Sequence, residues 1–393
     1  MDNKYRLELA GISKELLLIL EFLKRDEYAP LIEPQLLINV DWNLFINLVN
    51  HHRLYPLLYR KLKLVKKGLI PKFVIEYIEQ KYKQNTFQML LLSAEMEQIS
   101  KLFNQGEIRS LFLKGPILAQ ELYGDVSLRT SSDLDILIPI NKLENAERLL
   151  ENLGYEKDDY IQTVLNDWKW RHHHVTYIHP EKRLKLEIHW RLNPGPSKEP
   201  SFEQLWERKT RSSLISYPVY LLGKEDLFLL LVSHGARHGW SRLRWLLDIS
   251  QLLNQKLDWP KVGKLLRTYH FQNEGGQSVI LASELLGSKI SENMTSLLLG
   301  EKQSQLAQQA TFYFKQMVNL HTNPVPNEIA VYHKRYLFSL MSVQRKIVFI
   351  VNFFHPYPED AHTLPLPKQF HFLYFPLRPL LWAWRKMRQQ ALS

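Results

Sequence analysis

Two aspartates two positions apart are the first residues in this sequence whose type and spacing could do chemistry. Asp133 and Asp135 begin a segment rich in Leu and Ile, residues 133–140, which predicts a β-strand. Alternate side chains of a strand face the same side, so both carboxylates would point the same way. Carboxylates this close repel each other, and a divalent cation or a basic group commonly neutralises them. The alternative interpretation is two solvated side chains at a strand end.

A third carboxylate lies on a later segment with strict alternation. Residues 184–192 place apolar side chains at even positions, with Lys, Glu, His and Arg between them. This pattern predicts a strand with one buried face, paired in a hairpin with residues 175–178. Glu187 lies in the middle of the polar face, from which it could join Asp133 and Asp135 across a sheet.

Residues suited to phosphate binding precede the aspartates. Lys114 and Gly115 follow a short apolar run, and Pro116 then begins a helical pattern, which predicts a strand-to-helix turn. Backbone N–H groups at such a turn can hold phosphate oxygens. Arg129 and Ser132 add donors just before the first aspartate. The glycine turn, the donors and the three carboxylates together suit two-metal phosphoryl or nucleotidyl transfer.

The elements that must position these residues predict an α+β fold, with a small mixed-sheet core and large helical flanking domains. Helical periodicity dominates both flanks, and strand patterns are confined to the middle of the chain. The expected organisation has four parts: an N-terminal helical region at 1–104, the core at 105–195, a C-terminal helical domain at 196–320, and a proline-rich basic tail at 321–393.

Composition narrows the classes of function. The chain has 393 residues, 45% of them hydrophobic, and no cysteine, which excludes disulfides, thiolate zinc sites and a cysteine nucleophile. The formal net charge of +11 invites a polyanionic partner. Five of those charges lie in the acid-free residues 368–393, so the basic balance is poor evidence for nucleic acid. Without a signal peptide or a long apolar run, the protein is expected to be cytoplasmic, with neither nucleic acid nor membrane as its partner.

The tail leaves one alternative open. Trp382 and Trp384 beside basic residues could suit a membrane interface or a nucleic acid. Pro376 and Pro379 are expected to interrupt any long amphipathic helix there. Packing of the tail on the body of the protein is therefore the favoured prediction, and peripheral membrane contact stays possible.

The combination of motifs resembles the uncharacterised bacterial nucleotidyltransferases of the polymerase-beta-like superfamily. The resemblance covers most of the chain, and the combination is far more specific than any single motif. The motifs are Leu113-Lys114-Gly115, Leu122-Tyr123-Gly124, Arg129, Ser132 through Asp133 and Asp135 to Ile138, Glu187-Ile188-His189-Trp190-Arg191, Trp240 through Arg242-Leu243-Arg244-Trp245 to Asp248, Leu366-Pro367 and Arg378-Pro379.

The resemblance implies roles for individual residues. Asp133 and Asp135 would bind Mg²⁺, two ions in all, and Glu187 would complete the metal site. Gly115 would let the triphosphate approach the backbone. The negative charge on the phosphates would be offset by two side chains, Lys114 and Arg129, with the hydroxyl of Ser132 nearby.

The chain also departs from the pattern of the wider superfamily. That pattern has Gly-Ser at the turn and a shorter gap to the first aspartate, whereas here Lys114-Gly115-Pro116 precedes Asp133 by eighteen positions counted from the glycine. The third carboxylate is more often Asp than Glu. Lys114 could supply by its side chain what the missing serine would provide.

The predicted function is Mg²⁺-dependent transfer of a nucleoside monophosphate from a nucleoside triphosphate to a hydroxyl acceptor, with release of pyrophosphate. The acceptor would be a small molecule, a peptide or a protein. The alternatives within enzymes are phosphoryl transfer and the adenylylation of a protein, a peptide or an antibiotic. The alternatives outside enzymes are a catalytically inactive nucleotide- or partner-binding module of the same fold and a basic nucleic-acid-binding protein, which would show steep salt dependence.

Histidines supply further candidates. His172, His173 and His174 are adjacent, so on a strand they would alternate faces and could not all bind one metal. His173 or His189 is expected to line the acceptor pocket instead. A second pair, His234 and His238, is four apart on a predicted helix and is expected to be packed or hydrogen bonded, because Gly235 stands where a zinc protease needs its glutamate.

A basic helix follows these histidines. Arg244 and Asp248 are four apart, which predicts an ion pair along the helix. The alternative is a functional role, in which His238, Trp240 and Arg242 face the cleft and hold nucleotide or acceptor.

Overall fold

The structure is a computed structural model that describes residues 5–24, 33–158, 161, 163–298, 300–322 and 324–391. The N-terminal region is helical, as its periodicity predicts. Two of its helices begin at side-chain caps, with the Ser13 hydroxyl accepting from the Leu16 N–H and the Asp41 carboxylate accepting from two N–H groups. The helices are α1 (Lys14–Lys24), α2 (Trp42–His51), α3 (Tyr55–Lys63) and α4 (Lys72–Gln105).

A seven-stranded mixed sheet forms the middle of the molecule. Its strands are β1 (Leu111–Phe112), β2 (Asp133–Leu137), β3 (Glu156–Lys157), β4 (His174–His179), β5 (Leu184–His189), β6 (Thr210–Arg211) and β7 (Tyr220–Leu221), in the spatial order β3-β4-β5-β2-β1-β7-β6. The pairs β2–β5 and β1–β7 are parallel and the others antiparallel. Between the strands lie α5 (Pro116–Tyr123), α6 (Leu143–Asn152), α7 (Trp168–Arg171) and α8 (Phe202–Glu207).

The sheet extends beyond the core boundary that the sequence predicts at residue 195. Both β6 and β7 come from the region assigned to the C-terminal helical domain, and β7 pairs with β1 through Phe112 and Leu221. Each of these strands has two residues, too few for an alternating pattern to appear in the sequence.

The remaining chain is helical. It contains α9 (Lys224–Arg237), α10 (Leu243–Leu253), α11 (Trp259–Tyr269), α12 (Gln272–Leu286) and α13 (Glu301–Lys315), followed by the tail helices α14 (Asn327–Leu340), α15 (Val343–Phe353), α16 (Pro358–Thr363) and α17 (Tyr374–Ala391). Helical flanks around a mixed sheet confirm the α+β prediction. Among the described residues, the helices include none that is both long and apolar enough to cross a membrane.

Two apolar cores stabilise this arrangement. One joins the N-terminal helices to α9–α13, with Phe45, Phe228 and Trp240 fully buried in it. The other covers the sheet, where Leu134 and Ile188 are fully buried. Helix α4 contributes its first turns to one core and its later turns to the other, so it ties the sheet to the helical body.

The tail differs from its prediction in one respect. Pro376 and Pro379 do not interrupt the last helix, since both lie within α17. Pro376 is in the first turn, where its missing N–H would have no acceptor within the helix. The helix is held by Asp360, which is buried and accepts from Arg378 and Arg385 of α17 at 2.7 Å each.

Candidate active site

A cavity of about 510 Å³ lies between the sheet and the helical body. One wall is formed by the polar faces of β2 and β5. The opposite wall is formed by the end of α9 and the start of α10. All seven site residues that the sequence predicts lie at or beside it: Lys114, Arg129, Ser132, Asp133, Asp135 and Glu187 line the cavity, and Gly115 adjoins Lys114.

The parallel register of β2 and β5 brings the three carboxylates together. Asp135 lies opposite Glu187, and Asp133 lies opposite Lys185. Because both strands present alternate residues to the cavity, the two aspartates and Glu187 share one face. The pairing of β2 with β5 thus brings Glu187 next to the two aspartates, whereas the spacing within each strand indicates only which face each side chain is on.

Two lysines balance these carboxylates. The Lys185 ammonium lies 3.3 Å from Asp133 Oδ2 and 2.6 Å from Glu187 Oε1. The Lys114 ammonium donates to Asp135 Oδ1 at 2.9 Å. Lys185 stands two residues before Glu187, so the strand alternation already placed it on this face.

His189 completes the cluster from the end of β5. Its Nε2 lies 3.2 Å from Asp135 Oδ1 and 3.5 Å from Glu187 Oε2. One ligand atom from each of Asp135, Glu187 and His189 falls within 4.8 Å of the others, a spacing that a single metal ion can span. The donor set of carboxylate oxygens with a neighbouring imidazole fits a divalent cation, and the oxygens suit Mg²⁺.

The three carboxylates differ in their proton affinity. Burial and the adjacent Asp135 charge raise the pKa of Asp133. Burial opposes ionisation of Asp135, but Lys114 and His189 hold its pKa well below the usual range. Burial acts likewise on Glu187, and the attraction of His189 outweighs it to lower the pKa to about 2. Asp135 and Glu187 are therefore ionised at neutral pH.

The turn before α5 requires glycine. Gly115 has φ +86° and ψ −149°, a backbone conformation that side chains disfavour. A Cβ there would lie 3.2 Å from Leu134 Cδ2 and 3.5 Å from the Asp133 carbonyl oxygen. The turn thus brings the backbone close to β2 and leaves the Lys114 side chain beside Asp135.

Arg129 has a different partner from the phosphate that the sequence assigns to it. Its side chain is 2% exposed and donates through Nε and Nη2 to both carboxylate oxygens of Asp248 on α10 at 3.0–3.1 Å. The Tyr123 hydroxyl donates to the same carboxylate at 2.9 Å. This buried pair joins the loop before β2 to the helical body.

The predicted ion pair between Arg244 and Asp248 is wrong, because Arg129 and Tyr123 occupy that carboxylate. Arg244 instead donates through Nη1 to the Thr130 hydroxyl at 2.6 Å and to the Thr130 carbonyl oxygen. Trp240 does not face the cleft either. It is fully buried and donates to Gln277 Oε1 at 3.0 Å.

The helical wall of the cavity is rich in arginine. Arg53, Arg237, Arg242 and Arg244 all line it. Within the described chain, Arg237 Nη1 and Arg244 Nε are buried and have no hydrogen-bond partner. Burial lowers the pKa of Arg237 and Arg242 to about 10 and, together with Arg129, that of Arg244 to about 9. The guanidinium groups remain charged at neutral pH, and an anion in the cavity would relieve their mutual repulsion.

Histidines occupy both walls. His173 and His174 both approach His189, with ligand atoms within 4.8 Å, although adjacent strand residues were expected to diverge. The difference arises because His173 precedes β4, which begins at His174, so strand alternation does not apply to it. Both His173 and His189 line the cavity, where the sequence predicts one of them.

The second histidine pair packs against an aromatic ring. The rings of His234 and His238 lie 4.7 Å apart, and each is 5.2 Å from Trp245. Burial holds the pKa of both histidines well below the usual range, so they are neutral. This arrangement agrees with the packed pair that the sequence predicts, and both rings also face the cavity.

Several cavity residues escape reasoning from sequence alone. Arg53 and His321 are separated by most of the chain, and only folding brings them to the same wall. Arg237 lies beside the histidine pair but carries no motif of its own. For Lys185 a signal existed, namely its position on the same strand face as Glu187.

Comparison with known proteins identifies a family. A family model described as an uncharacterised nucleotidyltransferase matches residues 39–287, which include the carboxylate cluster and all four arginines of the helical wall. A comparison with curated protein sequences found no match.

Two solved structures resemble parts of the chain. JHP933 from Helicobacter pylori shares 17% sequence identity over 57% of this chain and 94% of its own, with a TM-score of 0.24. MenT4, a nucleotidyltransferase toxin from Mycobacterium tuberculosis H37Rv, shares 16% identity over 66% of this chain and 95% of its own, with a TM-score of 0.27.

Proposed function

Because the chain belongs to the family of uncharacterised nucleotidyltransferases, we propose that its cavity transfers a nucleoside monophosphate from a nucleoside triphosphate to a hydroxyl acceptor. Pyrophosphate is the second product. The observation that carries this proposal is the placement of Asp133, Asp135 and Glu187 on one wall, opposite a wall of arginines.

The sheet wall, formed by the polar faces of β2 and β5, is assigned to the metal. Asp133, Asp135 and Glu187 would hold two Mg²⁺ ions, which when bound polarise the phosphates and lower the pKa of the acceptor hydroxyl. Lys185 and Lys114 balance the carboxylates in the structure. The same ammonium groups can turn to phosphate oxygens once a cation takes their place, since lysine side chains are flexible.

The helical wall, which carries the arginines, is assigned to the phosphates. Arg242 and Arg244 carry positive charge into the cavity, and guanidinium groups bind phosphate oxygens through paired hydrogen bonds. Arg129 then acts as a positioning residue, because its bond to Asp248 fixes the loop that leads to Ser132 and the aspartates. Backbone N–H groups beyond Gly115 would face the triphosphate at the start of α5.

The reaction conserves its atoms in a single displacement. The acceptor oxygen forms a bond to the α-phosphorus as the bond from that phosphorus to the pyrophosphate oxygen breaks. The acceptor hydroxyl loses its proton to solvent, and positive groups of the cavity stabilise the charge on the leaving pyrophosphate. His173, which burial keeps neutral, and His189, at the same wall, would border the acceptor.

The proposal is tested with triphosphates labelled at either the α or the γ position. The protein is incubated with each nucleotide, Mg²⁺ and cell extract, and both pyrophosphate release and label transfer are measured. Transfer of the α label supports nucleotidyl transfer, whereas transfer of the γ label would replace it with phosphoryl transfer. The isosteric double variant Asp133→Asn/Asp135→Asn should lose at least about 100-fold in rate.

A matched control separates loss of the site from loss of negative charge. Glu156→Gln removes an exposed carboxylate from another strand of the same sheet and should leave the rate unchanged. Nucleotide binding without pyrophosphate release under every condition would establish an inactive binding module. Equal Mg²⁺-dependent nucleotide binding in wild type and the double variant would refute the metal assignment.

A further inference from the structure

Exposed apolar side chains are concentrated at one end of the chain. Of the 26 large apolar residues exposed among the described residues, 17 lie between Val331 and Met387. Scattered exposed apolar residues are normal, but a concentration of this kind marks an interaction surface. The site proposed for catalysis uses none of them.

Two helices form the surface. Helix α15 has no buried residue, and Val343, Ile347 and Val351 recur every four positions on one side of it. On α17, Leu380, Trp384 and Met387 share a side in the same way, with Leu380 67% exposed. We call these six residues, one stripe on each of the two helices, the C-terminal apolar face. The two helices meet where the Phe353 and Trp382 rings lie 5.6 Å apart.

Basic residues greatly outnumber acids in this part of the chain. Residues 331–391 contain nine Lys and Arg but two acids, Glu359 and Asp360. Asp360 is buried and neutralised by Arg378 and Arg385, so it adds no negative charge to the surface. Arg388 lies 4.4 Å from the Trp384 ring centre, which places a cation beside an aromatic ring on the face itself.

We propose that the C-terminal apolar face binds the surface of an anionic phospholipid bilayer without crossing it. Aliphatic and tryptophan side chains next to Lys and Arg match the boundary between acyl chains and anionic headgroups. Each basic residue near such a surface adds to the attraction. Membrane attachment goes beyond nucleotidyl transfer and does not depend on it.

Other occupants fit these side chains less well. In a two-fold dimer the face would contact its own copy, which would bring two sets of basic residues close together. Within residues 331–391, Glu359 is the one acid other than the paired Asp360 that could reduce their repulsion. A nucleic acid would pair with the cations but would leave Val343, Ile347 and Val351 exposed to water, because such interfaces are polar. The lipid surface satisfies both the apolar and the basic groups.

The test is flotation of the full chain with vesicles. Vesicles of phosphatidylcholine alone are compared with vesicles of equal parts phosphatidylcholine and phosphatidylglycerol, at low and high salt. The protein should float with the anionic vesicles, less so at high salt, and remain largely unbound with the neutral ones. Asp133→Asn/Asp135→Asn should float like wild type, so failure of the catalytic proposal would not affect this result.

Two variants and two matched controls locate the contact. Leu380→Ser/Trp384→Ser/Met387→Ser should reduce vesicle affinity roughly tenfold or more, whereas Phe87→Ser/Leu90→Ser/Leu91→Ser, an equally exposed triple on α4, should not. Lys386→Glu/Arg388→Glu should abolish the preference for anionic vesicles. Lys66→Glu/Lys67→Glu makes the same charge change at exposed positions outside the tail and should preserve it.

Three results would overturn the proposal. One is equal flotation of all variants that retain wild-type thermal unfolding. Another is no vesicle binding together with a wild-type dimer that the apolar triple variant dissociates, which would assign the face to a second copy. The third is oligonucleotide binding that Lys386→Glu/Arg388→Glu removes while vesicles have no effect.

Discussion

The two walls of the cavity handle charge in opposite ways. On the sheet wall each acid has a basic neighbour, with Lys185 shared between Asp133 and Glu187 and Lys114 bound to Asp135. On the helical wall several arginines face the cavity together. Burial lowers their pKa, and the negative charge near them is too small to offset that effect.

This difference separates two tasks. A balanced wall can exchange its ammonium groups for divalent cations at little net electrostatic cost, since one counter-charge replaces another. An unbalanced wall lowers its electrostatic energy when an anion binds. The division that we propose therefore assigns the metal to the sheet wall and the phosphates to the helical wall. The pair of Arg129 and Asp248 joins them, one residue from each side.

The largest effect is expected from breaking that joint. Asp248→Asn leaves the Arg129 guanidinium buried without its counter-charge, which should destabilise the fold by about 3–5 kcal/mol. The free energy of unfolding in urea measures this loss. Tyr123→Phe removes one hydrogen bond to the same carboxylate and should cost about 1 kcal/mol.

A rescue experiment identifies the cause. In the double variant Arg129→Met/Asp248→Leu no charge remains unpaired, so part of the lost stability should return. If Asp248→Asn unfolds at the same urea concentration as wild type, the pair does not hold the walls together. If the double variant is as unstable as the single one, packing rather than charge explains the loss.

An intermediate effect is expected from neutralising the helical wall. Arg242→Gln and Arg244→Gln should each weaken triphosphate binding by roughly 10- to 100-fold, the range of a hydrogen bond to a charged group. Titration calorimetry with each nucleotide measures the change. Arg267→Gln removes an exposed arginine of α11 and serves as the control, with unchanged affinity.

The same variants can contradict the division of tasks. The division predicts that Arg242→Gln leaves Mg²⁺ binding in the absence of nucleotide nearly unchanged. A variant that loses Mg²⁺ affinity but keeps its triphosphate affinity would reverse the assignment of the walls.

The sheet wall was predictable because its chemistry follows local patterns. The two-residue spacing of Asp133 and Asp135 and the alternation around Glu187 identify strand faces directly. The same alternation places Lys185 and His189 on the polar face. The α+β fold was predictable for the same reason. Helices such as α4 and strands such as β5 are long enough for the helical or alternating spacing of their apolar residues to appear in the sequence.

The helical wall and the joint depend on contacts that no local pattern encodes. Arg129 and Asp248 are 119 residues apart, and a nearer candidate, Arg244, offered the i,i+4 spacing for the same carboxylate. Burial decides between the two arginines, and burial is set by tertiary packing. The two-residue strands β6 and β7 escaped for a related reason, because their pairing is specified by the surrounding chain.

The smallest effect is expected from removing a counter-charge from the sheet wall. Lys185→Met leaves Asp133 and Glu187 without a shared ammonium group, so a divalent cation no longer competes with it. Affinity for Mn²⁺, measured by electron paramagnetic resonance, should rise roughly two- to fivefold, as suits a partly exposed ion pair. Lys182→Met removes a lysine paired with Glu95 away from the cavity and should leave the affinity unchanged. A fall in Mn²⁺ affinity for Lys185→Met would instead mean that the lysine positions the carboxylates for the cation, and the sheet wall would no longer be a simple exchange site.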